Sequence, residues 1–285
     1  MDLGKLLATH QALVRLFPLD WAMAWRPLGA VVDERFVPGH PTQYLARKPF
    51  PNPHFELLLG TAKDEWTLYR GQTKIARQGT FAEAAAAISR VFGQDSEEVM
   101  REFQVLYPDR TPGHLYCDVM GMVMFQYATL DIAHSMAKHG VPVYLFQFSY
   151  DSPGVGGSLR ALHTGDMLFQ WGNHSQNEID TWPAWRGLAP DDVKYQSQEF
   201  RQLYGNFIRH GNPGAKWKWF DNTENAALWF GKHLESRDNI FQRKEEIFRE
   251  NRILSQNDLE ARLSKSLHDA LRQTIISDIK PERRT

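Results

Sequence analysis

The chain has 285 residues, 42% of them hydrophobic and 24% charged, and a formal net charge of −1 at pH 7. That length and apolar content suffice for a sizeable buried core. The aromatic content excludes global disorder, and the balanced charge gives no reason to expect nucleic acid or a membrane as a partner. The single cysteine, Cys117, excludes an intrachain disulfide and fits a reducing compartment. With no signal-peptide pattern at the N-terminus and no run of about 18 apolar residues, a soluble, cytoplasmic protein is expected.

Leu6, Leu7, Leu13, Val14 and Leu16 recur at helical spacing and predict a short helix from Leu6 to Phe17, stopped by Pro18. Prolines such as Pro27, Pro38 and Pro41 make residues 21–53 irregular, with a short strand at 29–32. The apolar run at 55–61 reads as a buried strand ending in the acidic turn Lys63-Asp64-Glu65-Trp66. Thr80 and Glu83 form a capping-box pattern that opens a helix to about Phe92, and Ser96 with Glu97 and Glu98 opens another. Asp118 to His139 predicts a long, mostly apolar helix closed by Gly140, followed at once by a strand over 142–149. Such a helix-to-strand unit suits a parallel sheet covered on both faces.

A glycine-rich loop, Gly154-Val155-Gly156-Gly157-Ser158, leads into Leu162-His163-Thr164-Gly165-Asp166. Downstream, a helix over 191–210 ends at Gly211-Asn212-Pro213, and Trp217–Phe220 and Ala227–Lys232 read as short extended pieces. The final helix, over 257–276, places Leu259, Leu263, Leu267 and Leu271 on one stripe. Neither an internal repeat nor a linker interrupts the chain, so a single domain over 1–285 is expected.

An acid after one strand and a histidine after a later one, in that order, form the tail of a Ser…Asp/Glu…His arrangement. The serine of such an arrangement sits earlier, on a G-x-S-x-G elbow, and no such pentapeptide occurs in these 285 residues. Ser158 follows two glycines but has no strand before it at the required spacing. His134 and His139, five residues apart, do not share a helix face, and Cys117 has no partner cysteine, so no metal site is expected. Read on its own, Glu65 is equally a surface carboxylate in a turn, with Asp64 its neighbouring competitor.

Five blocks in order resemble the type B carboxylesterases, the family of the cholinesterases and bacterial para-nitrobenzyl esterases. They are Trp25-Arg26-Pro27 with Val31-Val32-Asp33 and Phe36-Val37-Pro38; Leu58-Leu59-Gly60-Thr61 with Asp64-Glu65-Trp66; Val143-Tyr144-Leu145-Phe146-Gln147-Phe148; His163-Thr164-Gly165-Asp166 through Gly172; and Tyr204-Gly205-Asn206-Phe207 through Pro213 with Trp217. They cover residues 20–235, and 236–285 is left as a C-terminal helical tail. Three positions depart from the family pattern: Glu34 and Thr164 stand where it has glycine, and Asp166 where it has glutamate.

The resemblance implies an α/β fold, the C-terminal portion of an α/β-hydrolase, with an incomplete, mostly parallel sheet flanked by helices. It implies Glu65 as the triad acid and His163 as the triad histidine. Asp166 would either brace that pair by hydrogen bonding or cap the following turn. The nucleophile and the oxyanion hole are absent from the sequence, and no cofactor is implied. The chain is therefore expected to be part of a serine carboxylic-ester hydrolase, inactive alone, and acting on a small-molecule ester once an N-terminal half is supplied. The alternative is a noncatalytic interaction module that pairs with a complementing chain, or with itself, through an exposed sheet edge.

Overall fold

The computed structural model describes residues 2–15, 33–37, 39, 44–45, 55–255, 257–263 and 265. Its centre is a four-stranded sheet in the order β1 (Leu57–Ala62), β2 (Val143–Phe148), β3 (Ala227–Phe230) and β4 (Leu234–Arg237). β1, β2 and β3 run parallel, and β4 returns antiparallel to β3.

Alternation along β2 sorts its side chains into two cores, as the two-residue period of a strand requires. Val143 and Leu145 join a cluster built from the helices Phe81–Phe92, Ser96–Leu106, Pro112–Gly121 and Tyr127–Lys138. Tyr144, Phe146 and Phe148 join the opposite cluster with Phe169, Trp185, Phe200 and Trp217. Every β2 residue is buried, which is why that segment is apolar apart from Gln147. β1 differs: Leu57, Leu58 and Leu59 are half-buried and Gly60 is exposed.

Several helices begin where side chains satisfy their free N–H groups. Thr80 Oγ1 accepts from Glu83 N (3.2 Å) while Glu83 Oε2 accepts from Thr80 N (2.8 Å). The same reciprocal pair joins Ser175 and Glu178 ahead of the helix Gln176–Thr181. The helix Pro190–His210 closes at Gly211, whose φ of +67° favours glycine.

Other expectations shift. The N-terminal helix spans Leu3–Arg15. The helix expected from Asp118 instead starts at Pro112, capped by Thr111, because proline suits a first helical turn. Asp118 is a buried interior residue, not a cap. That helix also widens into a π-turn at Met122–Gln126 before continuing as Tyr127–Lys138. Ser96 has helical backbone angles and follows a 3-10 turn, so it does not cap the helix it opens. Trp217–Phe220 contributes only a bridge from Phe220 to Val143. The strand expected at 29–32 lies outside the described residues, as does 266–276 of the last helix. The sequence reading did not identify β4 or the helix Gln242–Glu250.

Candidate active site

The parallel register of β1 and β2 carries on past both strands and brings two loops together. Lys63 N donates to Phe148 O (2.8 Å), and Asp64 N donates to Ala161 O (3.0 Å). Thr67 Oγ1 lies 2.6 Å from Asp64 O and 2.5 Å from Leu159 O. These bonds stitch the turn after β1 to the segment that leads into His163.

Glu65 opens the 3-10 segment Glu65–Gln72 and is buried. Its Oε1 accepts from Ala62 N (2.6 Å), and its Oε2 lies 2.5 Å from His163 Nδ1. A carboxylate beside Nδ1 fixes the tautomer with Nδ1–H donating, which leaves the Nε2 lone pair available as a base. Among the described residues Nε2 has no hydrogen-bond partner, and the imidazole side chain is 29% exposed. The Phe125 ring centroid lies 4.6 Å from that of His163, and Tyr69 lies 6.1 Å away. The hydrogen bond to Glu65 holds the His163 pKa above its ordinary value against the opposing effect of burial, with help from the charges of Glu65 and Asp166.

Asp64 is occupied elsewhere. It and Asp118 share the guanidinium of Arg110, with Asp64 Oδ1 at 2.5 Å from Nη1 and all three side chains buried. Burial pushes the Asp118 carboxyl up despite that partner. Asp166 makes no hydrogen bond to Glu65 or His163. Burial and the Glu65 charge raise its pKa, and the amides of Asp166 and Met167 partly offset them. Asp166 precedes the short helix Met167–Gln170 with helical backbone angles and no side-chain cap hydrogen bond, so it neither braces the pair by a hydrogen bond nor caps that turn.

Other nucleophile candidates are engaged or inert. Ser158 Oγ donates to Val155 O (2.9 Å) inside its own turn. Cys117 is buried, and burial raises its thiol pKa, which makes it unreactive. His134 pairs with Glu245 (2.8 Å) and Asn222, far along the chain from Glu65. No cluster of three or more metal-ligating side chains occurs among the described residues, and none of their helices is long and apolar enough to cross a membrane.

Two departures from the family pattern have a backbone signature. Thr164 has φ +64° and Glu34 has φ +60°, so both adopt the left-handed conformation that glycine takes without strain. At the second site the Asp33 carboxylate accepts from the amides of Arg35 (3.0 Å), Phe36 (2.8 Å) and Val37 (2.8 Å), which holds the turn. The reading of the sequence did not single out Arg110 or Phe125. Neither lies in a recognisable motif, and each reaches the site only through tertiary folding.

The family model described as "Carboxylesterase family" matches residues 8–249. The phenmedipham hydrolase of Pseudarthrobacter oxydans is 26% identical over 220 residues, covering 74% of this chain and 41% of the relative. The acylcarnitine hydrolase of Rattus norvegicus is 25% identical over 224 residues, covering 70% and 37%. In structure, a Geobacillus stearothermophilus carboxylesterase matches with a TM-score of 0.64 at 23% identity, covering 77% of this chain and 45% of that one. A PNB esterase matches with a TM-score of 0.64 at 17% identity, covering 87% and 48%. These neighbours establish the fold as part of an α/β-hydrolase, and the chain spans less than half the length of these relatives. With a family match over residues 8–249, the chain belongs to the carboxylesterase family.

Proposed function

We propose that this chain supplies the acid and the general base of a serine ester hydrolase, Glu65 and His163, and that a second polypeptide segment supplies the nucleophile and the oxyanion donors. The observation that carries this reading is the 2.5 Å contact between Glu65 Oε2 and His163 Nδ1, with Nε2 unpartnered among the described residues and partly exposed. The added segment pairs along the side of β1 that carries no strand among the described residues, next to the acid loop. There Nε2 takes the proton of a serine hydroxyl as its oxygen bonds to the ester carbonyl carbon, and Glu65 stabilises the imidazolium. Backbone amides of the added segment hold the oxyanion. The imidazolium returns its proton to the departing alcohol, and water then releases the acid from the acyl-serine in the same way. The substrate class is a small carboxylic ester, and the chemistry needs no cofactor. The buried, unreactive Cys117 suits a reducing cytoplasmic setting.

A second reading has an observation of its own. β1 presents half-buried leucines and an exposed glycine without a charged residue, a surface that also suits a noncatalytic module pairing by strand addition. Hydrolysis of para-nitrophenyl butyrate separates the two. The folded chain alone should show no His163-dependent hydrolysis, whereas adding the N-terminal half of a family carboxylesterase should give activity lost in Glu65→Gln and His163→Ala. A stable complex without hydrolysis would favour the interaction module. His163-dependent hydrolysis by the chain alone would contradict the proposal.

A further inference from the structure

Behind the acid, a buried polar chain links the helix Gln242–Glu250 to the pair. Gln126, the final residue of the π-turn, is fully buried. Its Nε2 donates to Ala62 O (2.7 Å) and Lys63 O (3.2 Å), the end of β1 and the start of the acid loop. Its Oε1 accepts from Lys244 Nζ (3.0 Å), which comes from the helix Gln242–Glu250 across 118 residues of sequence. On the other side of Ala62, its amide N–H is the donor to Glu65 Oε1. The preceding residue, Phe125, lies against the His163 ring. One π-turn therefore touches the His163 ring directly and, through Gln126, the Ala62–Lys63 backbone that holds Glu65, and such turns are frequent at functional sites.

The amide has one workable orientation. Two carbonyl oxygens on one side require its NH₂, and an ammonium on the other requires its oxygen. Lys244 is itself 4% exposed, and a lysine is almost never fully buried without a partner. Its Nζ also lies 5.5 Å from the Tyr107 ring, and its charge is felt by the Asp118 carboxylate. The cost of burying that ammonium points to a specific role for the contact with Gln126.

We propose that Gln126, oriented by Lys244, is a positioning residue for the Glu65–His163 pair: it fixes the Ala62–Lys63 backbone so that the Ala62 amide holds Glu65 Oε1 and aims Oε2 at His163. This rests on the reading of Glu65 as the acid of an ester hydrolase, yet it is tested on the pair itself, without hydrolysis. The test is NMR titration of ¹⁵N-histidine-labelled full chain, following the His163 pKa and the Nδ1 proton signal.

The informative variant is the double substitution Gln126→Met with Lys244→Met, which removes the amide and the ammonium together, so that neither is left buried without the other, and releases the Ala62 and Lys63 carbonyls from Nε2. The expected result is a folded protein whose His163 pKa falls to the ordinary value of 6.5 and whose Nδ1 proton signal is lost. Loss of a cation would by itself raise an imidazole pKa, so a fall reports lost geometry. A folded double variant with wild-type titration and an intact Nδ1 signal would overturn the proposal. Should the double variant not fold, Lys244→Met and Lys244→Arg give the same decision. The first should lower the His163 pKa and the second, which keeps a donor, should restore it; equal titration in both would overturn the proposal. An ordinary titration in the wild type would overturn both this proposal and the pair, whereas failure of ester hydrolysis on complementation would touch only the functional reading.

Discussion

Thr164 follows the candidate base directly and holds φ at +64°, where a β-branched side chain is strained by roughly 1–2 kcal/mol. Its hydroxyl donates to the His163 carbonyl (2.6 Å), a local bond that offsets only part of that strain. Replacing it with the glycine of the family pattern should stabilise the fold by about 1 kcal/mol, measured as a higher urea midpoint at unchanged slope. At His163 the pKa is raised, so its contribution to stability is fully present below the unfolded value of 6.5 and is lost as pH rises through the folded value. The stability difference between wild type and His163→Ala should therefore shrink on going from acid to alkaline solution, read from urea unfolding across that range. An increase with pH would contradict the Glu65–His163 hydrogen bond. At Arg110, substitution by Met would leave the Asp64 and Asp118 carboxylates buried together without a cation. That should cost about 3–5 kcal/mol, a loss large enough to see as a fall in Tm.

Among the elements, β1 and β2 show how packing explains a residue that propensity does not. Gly60 pairs in register with Phe146, and a Cβ at that glycine would overlap the Phe146 ring. The ring is confined in turn by Phe200 at 5.3 Å and Trp217 at 5.9 Å. Gly60→Val should thus cost about 1–3 kcal/mol despite valine's preference for strands, measurable by thermal unfolding. Both strands were legible in the sequence because their apolar runs are bounded by turn residues, and so was the capping box at Thr80–Glu83. Glu65 and His163, singled out by the order of the family blocks, meet across 98 residues of sequence. The helix Gln242–Glu250 was not legible, because Ile247 and Phe248 are its only buried apolar residues and make no stripe of helical period. β4 has the same difficulty, since Leu234 is its one apolar residue. Gln126 stands in no motif, and its partners lie 63, 64 and 118 residues away, beyond any local pattern.

Across the whole molecule, the two edges of the sheet are unlike. β4 carries Glu235 and Arg237, both exposed, the charged character that keeps a natural edge from pairing. β1, beside the candidate site, carries Leu57, Leu58, Leu59 and Gly60 and no such protection. That asymmetry, with the chain's coverage of less than half of its carboxylesterase relatives, supports the proposal that a complementing segment pairs on the β1 side, with its serine at His163 Nε2. Fluorophosphonate reagents bond to a serine only when it is activated as a nucleophile, so intact-mass analysis after labelling reports which polypeptide holds one. The purified chain should take up no label. Mixed with the N-terminal half of a family carboxylesterase, it should produce a single adduct, located on the added half and abolished by His163→Ala. A fluorophosphonate adduct on this chain itself would contradict the account.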